Sequence, residues 1–268
     1  MRRPFFAVLG GMGTLATESY IRLVDQLTHA HTDQEYLDYV VFNDAGVPDR
    51  TAFIMGESDE SPVPALFDDI DKANAIGASF ITLPCNTEHY FFDELQSRAS
   101  VPILHMPKLA VAHMVQRYPV RDHPRVGFMG TRGSCSAGIY RGEVESAGYA
   151  YVKPHEDLQQ RIDTLIYTQV KGGLPLSKPL YRGVIDEFLD ASGPYRCNAV
   201  ILGCTELSVF NEAFPLPELP IIDAQEVLAE ETVARAKALL SLLHWRTLER
   251  LATLENTGPA GRRYGYAY

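Results

Sequence analysis

At 268 residues, with 46% hydrophobic and 22% charged side chains, the chain is long enough for one large or two smaller α/β domains around a substantial core. Its formal net charge of −10 excludes a broad nucleic-acid surface, which needs clustered Lys and Arg. No apolar run reaches the roughly 20 residues of a spanning helix. The four cysteines (Cys85, Cys135, Cys197 and Cys204) show no C-x-x-C spacing, so neither a zinc ribbon nor a thioredoxin-like motif is encoded, and free thiols are expected.

The opening Arg2-Arg3-Pro4 and the apolar Phe5 to Leu9 have the charge-then-apolar order of a signal peptide. The apolar stretch is short and lacks a small-residue cleavage pattern, so it reads as a first strand and the chain as cytoplasmic. Gly10-Gly11-Met12-Gly13 then leads into helical spacing from Thr14 to His29. Leu37 to Asn43 is β-rich and ends in a polar loop, Asp44 to Arg50. Pro64 to Ile76 is predicted helical. Ala78 to Leu83 is predicted as a buried strand ending in Pro84-Cys85-Asn86-Thr87, and Val101 to His105 as the next strand. Arg125 to Met129 is a strand ending in Gly130-Thr131-Arg132-Gly133-Ser134, Tyr140 to Ala147 is helical, and Ala199 to Leu202 is a strand ending in Gly203-Cys204-Thr205-Glu206. Asp223 to Asn256 holds no Gly or Pro and reads as a helix capped by Asp223.

Gly130 follows Gly10 by 120 positions, and Cys204 follows Cys85 by 119. Matching offsets predict a duplicated α/β fold: two similar domains with parallel four- to five-stranded sheets flanked by helices, related by a pseudo-twofold, with the active site between them. The expected domains are 1–117, with helix 224–256 packing back on it, and 118–223; 257–268 reads as a flexible tail.

In open parallel sheets, ligands sit outside the carboxyl ends of the strands, which is where Cys85 and Cys204 fall. Two halves packed face to face would set these thiols on opposite sides of one cleft. Inverting a stereocentre with an acidic C–H needs a base on one face and an acid on the other, and a tuned thiolate–thiol pair can supply both. Helix N-termini after each cysteine are expected to lower the thiol pKa values. Asn86, Thr87 and Thr205 flank the thiols and are candidates for stabilising the carbanion. Buried structural cysteines are the competing interpretation, and it suits Cys197. Cys135 lies in a glycine loop that borders the expected site.

Together these motifs resemble the aspartate/glutamate racemase family over roughly residues 4 to 235. The chain resembles the aspartate racemase branch more than the glutamate racemases, which carry Asp-Ser-Gly after the first strand and Thr-His-Tyr-Pro after the second cysteine. The resemblance implies Cys85 and Cys204 as catalytic thiols, no pyridoxal phosphate and no metal, an acidic amino acid as the small-molecule partner, and a homodimer. It also nominates Met12, Arg50, Asn86, Thr87, Thr131, Ser134, Lys171 and Thr205 for substrate binding, with Arg50 and Lys171 meeting carboxylates and Thr131 and Ser134 meeting the α-carboxylate. Glu88 stands where a small or apolar residue is commoner, and is expected to raise the Cys85 pKa or repel an acidic substrate. His89 reads as packing or hydrogen-bonding rather than catalytic, and His29 and His31 have no metal-ligand partners. The glycines do not form G-x-G-x-x-G, so a dinucleotide site is disfavoured. A cysteine-dependent isomerase or decarboxylase of a small diacid, and a non-catalytic acidic amino-acid sensor, remain as alternatives.

Overall fold

The computed structural model describes the backbone of residues 3–256 and side chains as far as residue 243; the tail expected over 257–268 lies outside the described residues. In chain order the first half holds β1 (Phe6–Gly10), α1 (Thr14–Thr28), β2 (Tyr39–Asn43), α2 (Arg50–Met55), α3 (Val63–Ile76), β3 (Ile81–Thr82), a 3₁₀ turn (Thr87–Phe91), α4 (Phe92–Arg98), β4 (Ile103–Leu104) and α5 (Met106–Arg117). The second half follows with β5 (Arg125–Met129), α6 (Arg132–Ala137), α7 (Arg141–Ser146), β6 (Ala150–Val152), α8 (Glu156–Asp163), a π-helix (Thr164–Lys171), α9 (Lys178–Leu189), β7 (Ala199–Leu202), α10 (Thr205–Ala213) and β8 (Ile221–Asp223). The last helix, α11 (Ala224–Asn256), packs against α1 and α5.

Every strand pairing is parallel, and the two four-stranded sheets have orders β2-β1-β3-β4 and β6-β5-β7-β8. The second order is the first with each strand replaced by its counterpart four places on, which is the topology the matched offsets predict. Central strands are buried on both faces, so they read as unbroken apolar runs: all four residues of β7 and all five of β1 are buried. Helices are ended by left-handed glycines where a side chain would be strained, at Gly56, Gly77 and Gly138 after α2, α3 and α6.

Three apolar clusters hold the fold. One lies within the first half around Leu9, Ile70, Ile81 and Leu95, and one within the second around Ile162, Val184, Val200 and Leu207. The third joins the halves: Phe6, Val8 and Phe80 share it with Phe128, Ile201 and Ile222, and Met114 of α5 and Leu228 of α11 close it. The halves are therefore fused along one apolar seam. Among the described residues no helix is long and apolar enough to cross a membrane.

Candidate active site

The strand ends of β3 and β7 carry Cys85 and Cys204 to a single narrow cleft, and both thiols line it. Its wall also includes Met12, Arg50, Asn86, Thr87, Thr131, Lys171 and Thr205, all nominated from sequence, together with Asp49, Thr51 and Glu206, which were not. Ser134 is set back from the wall. Its hydroxyl meets Thr87 Oγ1 at 2.9 Å and Thr131 Oγ1 at 3.1 Å, and Thr87 and Thr131 meet at 3.0 Å. This triangle of buried hydroxyls joins the first half to the second and fixes two of the wall's polar groups. Cys135 does not line the cleft; its Sγ lies 3.6 Å from Gln159 Oε1. Cys197 is buried at Tyr195 O, and all four thiols are free. A larger groove, bordered by Ser19, His113, Asn211, Gln225 and Glu230, contains no cysteine, so size does not mark the chemistry here.

The surroundings of the two thiols differ. Cys85 lies beside Arg50, which opens α2, and beside Glu88 in the 3₁₀ turn that follows it. Arg50 is buried and anchored by backbone carbonyls: Nη1 donates to Val47 O at 3.2 Å and Pro48 O at 3.0 Å, and Nη2 to Met12 O at 3.1 Å. That leaves N–H donors on Nε and Nη2 free of protein oxygen, since guanidinium carries five. Burial would depress the guanidinium pKa, but Cys85, Glu88 and Asp49 around it raise it. Cys204 is the N-cap of α10, and its Sγ donates to Glu206 Oε2 at 2.8 Å. Lys171 Nζ lies 3.6 Å from the other oxygen, Glu206 Oε1, and 5.2 Å from the centre of the Tyr167 ring. Lys171 and Tyr167 both come from the π-helix, a form that recurs at functional sites.

Lowered thiol pKa values were expected from the helix ends, and the structure overturns this. Burial pushes the Cys85 thiol above its ordinary value; Arg50 acts against that shift, and Glu88 and Glu206 reinforce it. Burial pushes Cys204 up further, with Glu206 adding to the shift and Lys171 opposing it. The desolvation cost of an anion in a closed cleft exceeds what the turn dipoles return. Cys85 also does not stand at the start of an α-helix, because the 3₁₀ turn separates it from α4.

Glu88 is not on the cleft wall. It is 0% exposed, neither oxygen has a hydrogen-bond partner, and burial raises its carboxyl pKa to about 8, with Arg50 acting against the shift. Near neutral pH it is chiefly an uncharged acid behind Cys85, not a charge that repels an anionic substrate. His89 is structural, as expected: burial lowers its pKa to about 4, so its neutral ring donates from Nδ1 to Cys85 O at 2.9 Å and accepts at Nε2 from Met106 N–H at 3.1 Å. This bridge ties the Cys85 turn to the start of α5. Asn86 Oδ1 accepts a short hydrogen bond from Tyr140 OH across the halves, which leaves Asn86 Nδ2 buried without a protein partner. Among the described residues no group of three or more His, Cys, Asp or Glu side chains is placed to hold a metal.

Backbone closeness completes the cleft. A Cβ on Gly133 would lie 2.9 Å from Thr51 Cα, and one on Gly13 would lie 2.9 Å from Glu206 Oε1. The two glycine motifs thus let each half press against the site-bearing segment of the other. Asp49, Thr51 and Tyr167 were missed because they lie far in sequence from the cysteine motifs, the first two flanking Arg50 and the third four places before Lys171. Glu206 was within reach, two places after Cys204.

A fold of two matched parallel sheets with a cysteine at the same strand end in each defines a class of duplicated α/β proteins, and comparison with known proteins agrees. A family model described as Asp/Glu/hydantoin racemase matches residues 9–232. The broad specificity amino-acid racemase RacX of Bacillus subtilis (strain 168) is 25% identical over 232 residues, covering 85% of this chain and 96% of that protein. The aspartate racemase of Picrophilus torridus superposes with a TM-score of 0.71 at 27% identity, covering 87% of this chain and 94% of the other. The glutamate racemase of Francisella tularensis in complex with D-glutamate, at 18% identity and TM-score 0.60 over 92% of this chain and 82% of the other, shares the fold. The chain belongs to the Asp/Glu/hydantoin racemase family, and it is a racemase.

Proposed function

We propose that the protein interconverts the L and D forms of an acidic amino acid, aspartate or glutamate, by proton transfer between Cys85 and Cys204 at Cα. One observation carries the reading: thiols from corresponding strand ends of the two halves line the same cleft. In one direction the thiolate of one cysteine takes the α-proton and becomes S–H. The C–H electron pair passes into the α-carbon and its carboxylate, and the S–H of the opposite cysteine delivers a proton to the other face. The reverse reaction exchanges the two roles, so nothing is consumed.

Burial favours the S–H form of both thiols, so a charged partner has to favour the working thiolate. Arg50 suits this for Cys85 and Lys171 for Cys204, since each cation opposes the rise in its neighbour's pKa. The same two cations, with the hydroxyls of Thr87 and Thr131, supply donors for the two carboxylates of an acidic substrate. The resemblance to aspartate racemases, and the relatives named for aspartate, glutamate and broad amino-acid racemisation, support the substrate class. The test is chiral chromatography after incubating the protein separately with L-aspartate and L-glutamate. Formation of the D-enantiomer of at least one acid is expected; no inversion of either would overturn the proposal.

A further inference from the structure

Glu206 occupies an unusual position for a carboxylate. It is only 2% exposed, it lines the cleft, and its two oxygens have different neighbours. Oε2 accepts the Cys204 thiol proton at 2.8 Å. Oε1 has no hydrogen bond; it lies 3.6 Å from Lys171 Nζ and directly over Gly13, the N-cap of α1 in the opposite half. The charged and titratable groups around it are Cys204 on its own segment, Lys171 and Tyr167 on the π-helix, and Cys85 from the first half.

An α-amino acid brings a cationic ammonium next to the reacting carbon. Taking that cation out of water into a closed cleft requires an acceptor, preferably a carboxylate. Asp49, the other acid on the wall, is exposed, and its side chain caps α2 by accepting from Ala52 N–H at 2.8 Å. Glu206 is the buried one, with an oxygen free of hydrogen bonds.

We propose that Glu206 recognises the α-ammonium of the substrate, and that the same contact readies Cys204 for proton transfer. The proposal rests on the racemase reading of the cleft. Before substrate binds, the carboxylate keeps the Cys204 proton in place, because a thiolate 2.8 Å away would face a like charge. When the ammonium takes up Glu206, that repulsion is neutralised, and Cys204 can exchange its proton. An α-hydroxy acid of the same shape lacks the cation and so loses both the contact and the release of the thiol.

The test compares the acid that the protein inverts with its 2-hydroxy analogue, malate for aspartate or 2-hydroxyglutarate for glutamate. Racemic ligands are used in calorimetry so that turnover adds no heat. The wild type is expected to bind the amino acid about 10-fold or more tightly than the hydroxy acid, the range for a hydrogen bond to a charged group. Glu206→Gln is expected to weaken the amino acid by about the same factor while leaving the hydroxy acid unweakened. Glu206→Asp is expected to restore part of the preference. Gly13→Ala, whose methyl would press on Oε1 from the other half, is expected to lower the preference while leaving the carboxylate in place. Independently of ligand, iodoacetamide should alkylate Cys204 faster in ligand-free Glu206→Gln than in wild type at pH 8. Equal wild-type affinity for the two ligands, or equal weakening of both in Glu206→Gln with unchanged alkylation, would overturn the proposal. A protein that inverts aspartate yet shows no ammonium preference loses only this role of Glu206. One that inverts neither acid loses the racemase reading with it.

Discussion

Glu88 is a carboxyl group sealed in the protein, so its titration should be legible in the stability of the fold. Its pKa rises from an ordinary 4.5 to about 8, because burial penalises the anion more than Arg50 relieves it. The native state therefore holds a proton that the unfolded chain has already released between those two values. The stability linked to this group is fully present below pH 4.5 and is lost as pH rises through 8. A shift of about 3.5 units corresponds to roughly 5 kcal/mol in all, of which about 3 kcal/mol is lost by pH 7. The group is 0% exposed, so solvent screening does not discount the figure. Glu88→Gln keeps the shape and removes the titration. Its buried amide adds a constant offset, so the informative quantity is a double difference. Urea unfolding of wild type and variant at pH 5 and pH 8 should show the variant gaining on the wild type by several kcal/mol over that interval. A difference between the two proteins that does not change with pH would refute the reasoning.

Three further outcomes follow from particular contacts. Burial lowers the His89 pKa from 6.5 to about 4, so its contribution has the opposite sign: it is present above pH 6.5 and lost as pH falls through 4. His89→Gln should remove about 3 kcal/mol of acid sensitivity over that window, read by urea unfolding at pH 4 and 7. A Cβ on Gly203 would lie 2.0 Å from Phe128 Cε2, so Gly203→Ala should cost about 3 kcal/mol or prevent folding, read by thermal unfolding; a stability equal to wild type would contradict the packing. Both thiols are raised above an ordinary 9.0, so kcat/KM for inversion should climb between pH 7 and 9, and a flat profile would show that another group limits the reaction.

The strands most legible in the sequence were the apolar runs at Phe6–Gly10, Arg125–Met129 and Ala199–Leu202, because parallel strands buried on both faces need no alternation. The duplication was legible through offsets alone, and it carried both thiols to the correct strand ends. Nothing local marked the π-helix at Thr164–Lys171, since its 8 residues are too few to display the period of its wider turn. Lys171 was found by resemblance, while Tyr167, four places earlier, was not. The thiol pKa values were misjudged for a physical reason: a helix end is visible in sequence, but the burial that outweighs it arises from tertiary packing, which sets Cys85 in the apolar cluster of the first half and Cys204 in that of the second. The expectation for Glu88 held in part: it does add to the rise of the Cys85 pKa, but it is not a repelling charge on the cleft wall. Its place beside Cys85 in the chain suggested a charge in the cleft, whereas the 3₁₀ turn directs it into the core.

The two-thiol claim is tested most directly by following the α-carbon in D2O with wild type, Cys85→Ala and Cys204→Ala. Each protein is given the L- and D-enantiomers of aspartate and glutamate separately. Chiral chromatography reads inversion, and NMR reads deuterium at Cα. The wild type should invert at least one acid with deuterium incorporated, and each variant should lose inversion by at least about 100-fold. A variant that retains exchange with one enantiomer alone would assign its surviving thiol to that face. Inversion at the wild-type rate in either variant would contradict two-thiol catalysis.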